Sequence, residues 1–388
     1  MKTKILITFS ICMFLASGCG SPTEKSPSTP AVITPTAITI ATTEPIIIEE
    51  PISYPLSEPG IYDFGTKGAF SQIYSFVDTS RADREIGIMV WYPAKLPVDA
   101  PPSDYNPDAE SDLSGAPYPL ILSSSKVGSI FGPHLASHGF VVVGIKGLDS
   151  YDPWDENLFK QPLDILFALD QIASHPLAGL EGMIDAEHAG VMGYSFDGYN
   201  ALAMSGARVD PEFYLSQCAN VSDFQPALSE SDVKIYCDPA NHWDEFSTHA
   251  GPALTASSDG LWQPMTDERI RAVMPMAPEG TMLFGERGLS TVDRPTLILV
   301  GTADTGCDYK REATYIFEHI GTPDKIMISF VGEEHSMVES DEPVLRMKHF
   351  ATAFFGYYLQ GQEDYAKYFS EDFVSQRDEL AWGVYKGE

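Results

Sequence analysis

The sequence predicts an α/β fold built on an open, mostly parallel sheet with helices on its faces. Three observations predict it. Six short, nearly continuous apolar runs (Leu120–Leu122, Phe140–Ile145, Ala189–Met192, Ala272–Met276, Thr296–Val300 and Ile326–Val331) suit parallel strands buried on both faces. Helical patterns lie between them, as in Pro162–Ser174, where Ile165, Leu169 and Ile172 recur at helical spacing. The composition, 44% hydrophobic and 20% charged over 388 residues, is that of a globular chain able to bury a large core.

The elements follow in chain order. Lys2 and Lys4 precede the apolar run Ile5–Ala16, which is too short to span a bilayer but suits a secretory signal over residues 1–18. The run ends in Leu15-Ala16-Ser17-Gly18-Cys19, which resembles a bacterial lipobox, with the leucine one residue further from the cysteine than usual. Cys19 is then the lipidated residue, and the expected location is the cell envelope, outside the cytoplasm; the alternative is an ordinary secretory signal with an incidental Cys19 and a secreted protein. Residues 19–59 are rich in Ser, Thr, Pro and Glu without a periodic core face, and read as a tether. The membrane is expected as a partner through this anchor only.

From Gly60 to Glu388 the pattern is one domain. Phe70–Val77 and Glu85–Tyr92 read as strands of an antiparallel hairpin. Asn200–Ser205 continues a helix after a glycine turn, and Val344–Leu359 is a long amphipathic helix. With 55 acidic and 24 basic residues, net charge -31, the chain repels phosphate, so nucleic acid is not an expected partner.

In parallel sheets the chemistry sits beyond the carboxyl ends of the strands, and three such ends carry complementary groups. Ala189–Met192 runs into Gly193-Tyr194-Ser195-Phe196-Asp197-Gly198, a sharp strand-to-helix turn that would expose the Ser195 hydroxyl above the sheet. Thr296–Val300 ends near Asp304, placed to orient a histidine, with Asp308 as the local competitor. Ile326–Val331 ends near His335, a base for the Ser195 proton. Pro119–Leu122 leads into Ser123-Ser124-Ser125-Lys126, where the Lys126 amide, with the Phe196 amide, is the candidate oxyanion hole.

The turn at Ser195 resembles the nucleophile elbow of the α/β-hydrolases, with Asp197 where the commonest form has glycine. The order Ser195, Asp304, His335 is the order of that superfamily. Together with Pro119–Leu122, His138–Val142, Gln161–Asp164 and Asp267–Val273, the elbow is similar to the branch of dienelactone-hydrolase-like and platelet-activating-factor-acetylhydrolase-like enzymes. The resemblance covers roughly residues 60–368. It implies an eight-stranded sheet and a cofactor-free serine hydrolase acting on carboxylic esters, with a small-molecule or lipid-like ester as substrate. A peptidase of the same fold and a non-catalytic, ligand-binding surface lipoprotein are the alternatives.

Residues 207–263, rich in Pro, Ser, Asp and aromatics, form an insertion after the elbow helix, expected as a cap over the site and the seat of specificity. Within it Cys218 and Cys237 are a plausible disulfide in an oxidising compartment, contributing about 3 kcal/mol. Cys307 is then a leftover thiol, and no cysteine spacing suits zinc. His242, Asp244, Glu245 and His249 cluster there but read as solvated loop residues, so no metal is expected. Trp154, Met276 and Phe284 fit an acyl pocket or core packing equally well.

Overall fold

The structure is a computed structural model that describes residues 54–387 apart from 69–73, 102, 104, 151–152 and 224–226. The signal segment, Cys19, nearly all of the tether and the first half of the expected strand Phe70–Val77 lie outside the described residues.

The strands are β1 (Asp63–Lys67), β2 (Tyr74–Asp78), β3 (Arg84–Lys95), β4 (Glu110–Ser111), β5 (Tyr118–Ser124), β6 (Val141–Ile145), β7 (Ile184–Tyr194), β8 (Ile270–Met276), β9 (Thr296–Gly301), β10 (Lys325–Phe330) and β11 (Leu380–Trp382). They form one sheet of order β1-β3-β6-β5-β7-β8-β9-β10-β11, with β2 and β4 also paired to β3. The six strands from β6 to β10 run parallel, and β3 and β11 flank them antiparallel. All eight strands read from the sequence are present. The three additions, β1, β4 and β11, are short antiparallel pairings at the margins whose few residues carry no alternating or continuous apolar signal.

Each parallel strand divides its side chains between two cores. Leu120, Leu122, Val141, Val143, Val191, Val273, Ile298 and Val300 face one hydrophobic cluster, while Ile121, Val142, Met192, Met274, Leu297 and Leu299 face the other. That is why the runs are continuously apolar rather than alternating. The second cluster is closed by α1 (Ser125–Ser137), through Phe131 and Leu135, and by a long C-terminal helix, residues 341–360, through Phe350, Phe354 and Phe355. The first is closed by α2 (Asn157–Ser174) and α3 (Phe196–Met204).

The helix expected from Pro162 begins five residues earlier, so Pro162 lies inside it. A proline there leaves the carbonyl four residues back without its helical donor. The Tyr199 hydroxyl takes that place, donating to the Leu158 carbonyl at 2.6 Å. This long-range bond joins α2 to the helix that follows the elbow.

The insertion consists of α4 (Pro211–Ala219), α5 (Glu230–Tyr236), α6 (Trp243–Ala250) and α7 (Pro252–Thr255) with their connections. Cys218 and Cys237 are bonded at 2.04 Å, tying α4 to the end of α5. Its aromatic side chains Tyr214, Tyr236, Trp243 and Phe246 pack with Trp154, Phe159 and Trp262 into the first core.

The connection from β5 leads to β6 on one side, and the chain returns to β7 on the other. Strand order therefore reverses at β5, opening a crevice beyond the carboxyl ends of β5 and β7. Those two ends carry Ser124 and Tyr194, the residues immediately before α1 and Ser195.

Candidate active site

Ser195 joins β7 to α3 with φ +60° and ψ -124°, a backbone conformation rarely adopted by a residue with a side chain. It is held there from both sides. Its amide donates to the Met276 carbonyl at 3.0 Å, and its carbonyl accepts from the amides of Gly198 (2.8 Å) and Tyr199 (3.3 Å). Strain kept by its surroundings in this way is typical of functional positions. The turn is tight enough that a Cβ on Gly193 would lie 2.0 Å from the Asp197 carbonyl oxygen. Glycine at 193 is thus a packing requirement of the bend.

The three strand-end residues are brought together. The Ser195 Oγ lies 3.0 Å from His335 Nε2, and His335 Nδ1 lies 2.9 Å from Asp304 Oδ2. Asp304 is 3% exposed, and its other oxygen accepts the amides of Gly306 and Cys307, each at 2.9 Å. These two loop amides hold the carboxylate in one orientation with Oδ2 turned to the imidazole. Asp308, the competitor in the sequence, is turned away: its Oδ1 accepts the amides of Lys310 and Arg311 at the start of the next helical segment. Gly306 gives the imidazole its room, since a Cβ there would stand 2.8 Å from His335 Cγ. Tyr194 donates its hydroxyl to the His335 carbonyl, and burial pushes that phenol up, so it stays protonated.

The two candidate oxyanion donors begin helices that converge on the same cleft. Phe196 is the first residue of α3, directly after Ser195, and Lys126 is the second residue of α1. Ser124 caps α1, its Oγ accepting the Val127 amide at 3.2 Å. The first-turn amides of a helix have no intrahelical acceptor and carry the positive end of its dipole, which suits a developing oxyanion. The Lys126 side chain is exposed at the mouth of the cleft.

The cleft has a volume of about 460 Å³. Its apolar wall is Val127, Ile130, Tyr194, Phe196 and Val338, and its rim carries Lys126, Asp149, Glu334 and Glu339. Among the described residues, none from 207–263 lines it. The insertion's aromatic face turns into the core around Trp154 and α2. Trp154, Met276 and Phe284 are likewise core residues: Trp154 packs on Tyr214 and Tyr236, Phe284 stacks on Tyr199 at 5.1 Å, and Met276 is fully buried. Of the cluster His242, Asp244, Glu245 and His249, His249 pairs with Glu156 of the α2 cap, and no metal-holding group of three such side chains occurs among the described residues.

Two residues had no role in the sequence reading. Cys307 is 3% exposed with its Sγ 3.8 Å from the Ser195 Oγ. Burial, with Glu279 and Asp304 nearby, pushes its thiol well up, so it is a neutral neighbour of the hydroxyl rather than a second nucleophile. Asp197 is 2% exposed, and its Oδ2 accepts the Ser124 amide at 3.0 Å.

The family of PET-hydrolase-like enzymes matches residues 118–214, the stretch that holds β5, α1, β6, α2, β7 and the elbow. No curated protein matches the chain.

Proposed function

We propose that this chain, an α/β-hydrolase related to the dienelactone-hydrolase-like and platelet-activating-factor-acetylhydrolase-like enzymes, is a serine hydrolase that cleaves carboxylic esters through an acyl-enzyme on Ser195. The observation that carries the reading is the unbroken relay Ser195–His335–Asp304 at 3.0 and 2.9 Å, on a serine held at positive φ. The PET-hydrolase-like match over the elbow region supports an ester as the bond broken.

The chemistry follows from the geometry. His335 Nε2 accepts the Ser195 proton as Oγ attacks the ester carbonyl, and Asp304 holds the Nδ1 proton and stabilises the imidazolium. The Phe196 and Lys126 amides receive the oxyanion. The imidazolium then protonates the departing alkoxide, leaving the acyl group on Oγ. Water, deprotonated by His335, repeats the sequence and releases the carboxylic acid. None of these steps calls on a cofactor. Three rim carboxylates, Asp149, Glu334 and Glu339, face a single ammonium, Lys126, which favours neutral esters over anionic ones.

Labelling of the purified protein with a fluorophosphonate tests the reading. The expected result is one covalent adduct, mapped by mass spectrometry to the peptide containing Ser195, together with hydrolysis of neutral nitrophenyl esters. A folded protein that takes no label, or takes it elsewhere, would sink the proposal and favour the ligand-binding alternative.

The lipobox-like run supports attachment of the mature protein to the envelope through lipid on Cys19, and a Cys218–Cys237 bond is at home in the oxidising conditions there. Cys19→Ser is expected to move the protein from the membrane to the soluble fraction of its host. Equal membrane retention of the two forms would remove the anchor.

A further inference from the structure

We propose that Asp197 is a positioning residue for the oxyanion hole, its carboxyl tying the nucleophile elbow to the loop that carries the second oxyanion donor. The inference rests on the serine-hydrolase reading above and concerns a position where the commonest form of the elbow has glycine.

Asp197 stands two residues after Ser195 in the first turn of α3, packed so closely under the elbow that a Cβ on Gly193 would lie 2.9 Å from its Cγ. From there it reaches across to β5 and accepts the Ser124 amide at 3.0 Å. Ser124 is fully buried, and that amide lies at the end of its strand, where the chain turns into α1. The segment from Ser124 to Val127 is therefore pinned at both ends, by Asp197 at the Ser124 amide and by the Ser124 Oγ at the Val127 amide. Lys126 lies between the two pins. A shift of Ser124 has to move the Lys126 amide relative to Ser195, and misplacements of about 1 Å cost about 10²-fold in rate.

The other carboxyl oxygen continues the tie. Asp197 Oδ1 lies 3.3 Å from Asn200 Nδ2, and the same amide group donates to Gln161 Oε1 at 2.9 Å and to the Leu148 carbonyl at 3.1 Å. Gln161 in turn donates to the carbonyls of Gly147 (2.8 Å) and Ser150 (3.1 Å). One buried polar network thus fixes three strand-end loops, those after β5, β6 and β7. Ser124, Lys126, Asp149, Ser195 and Phe196 of the cleft lie on these loops. A carboxyl in this place is costly: burial pushes Asp197 up to about 7, and Asp149 adds to the push. A glycine would fill the bend without that cost, and would leave the Ser124 amide without its acceptor.

The test compares Asp197→Ala and Asp197→Asn with the wild type on a neutral nitrophenyl ester, with inhibition by a trifluoromethyl ketone of the same acyl group. The ketone adduct places an oxyanion in the hole, so its inhibition constant reports the hole itself. For Asp197→Ala the expected result is a kcat lower by about 10- to 100-fold, KM within about threefold, and an inhibition constant that rises in parallel with the loss of kcat/KM. Asp197→Asn keeps an acceptor oxygen for Ser124 and is expected to recover most of kcat. Should Asp197→Ala not fold, Asp197→Gly, which installs the residue of the commonest elbow, carries the same measurements. Variants that melt earlier but keep wild-type kcat and ketone inhibition would overturn the inference, as would an Asn variant no better than Ala. A wild type that takes no fluorophosphonate label removes the hydrolase reading and this inference with it, whereas a labelled wild type beside an unaffected Asp197→Ala removes this inference alone.

Discussion

Ser195→Ala is expected to lower ester turnover by about 10⁶-fold and to abolish fluorophosphonate labelling. The size follows from what the Oγ does in the proposed reaction, where it is the atom that bonds to the acyl carbon and none of its neighbours can substitute. Cys307 Sγ is near at 3.8 Å, but burial keeps that thiol protonated and therefore weakly nucleophilic. The variant should fold as the wild type does. Alanine keeps the Cβ already accommodated at φ +60°, and the truncation takes away the Oγ with its hydrogen bonds to His335 and Cys307. A residual rate of about 10³–10⁴ over water is expected from the oxyanion amides and from binding. Turnover and labelling measured beside a melting curve check it. A variant that retains more than about a tenth of wild-type kcat would remove Ser195 as nucleophile, because loss of the bond-forming atom cannot cost so little.

The residues of the relay were legible because a parallel sheet delivers its strand ends to one edge. Once Ser195, Asp304 and His335 each follow an apolar run in the order of the superfamily, their meeting needs little further information. The choice between Asp304 and Asp308 was legible for the same reason, since the first is nearer the strand end, and the amides that occupy Asp308 account for it physically. The packing partners of the insertion's aromatic side chains were not legible. A segment that leaves the sheet after the elbow helix can fold over the cleft or against the neighbouring helices. The difference lies in the partner of its aromatic face: Trp154 and Phe159, both distant in sequence, draw Tyr214, Tyr236 and Phe246 into the core. The start of α2 was hidden similarly. Pro162 marks a helix start only while no side chain replaces its missing donor, and Tyr199 supplies one from 41 residues away. Asp197 and Cys307 were visible as departures from a motif and as a leftover thiol, but their contacts to Ser124 and Ser195 depend on the packed elbow.

Asp304→Asn is the second large effect, an expected loss of about 10⁴ in kcat with the fold intact. The surrounding amides decide the outcome. Oδ1 of Asp304 accepts the amides of Gly306 and Cys307, so an asparagine must place its carbonyl oxygen there and its NH2 toward His335 Nδ1. A donor now faces Nδ1, which becomes the acceptor, and the ring proton moves to Nε2. That nitrogen faces the Ser195 Oγ at 3.0 Å and can no longer take its proton. The opposite flip would restore the tautomer but set an NH2 against two backbone N–H groups in a site only 3% exposed. The imidazolium also loses its counter-charge. Binding of a neutral ester involves neither change, so KM should move much less than kcat. The check is kcat and KM for the purified variant, with near-ultraviolet circular dichroism to show retained packing. A loss below about tenfold would mean that another group orients His335, and the assignment of Asp304 would fall while that of Ser195 stood.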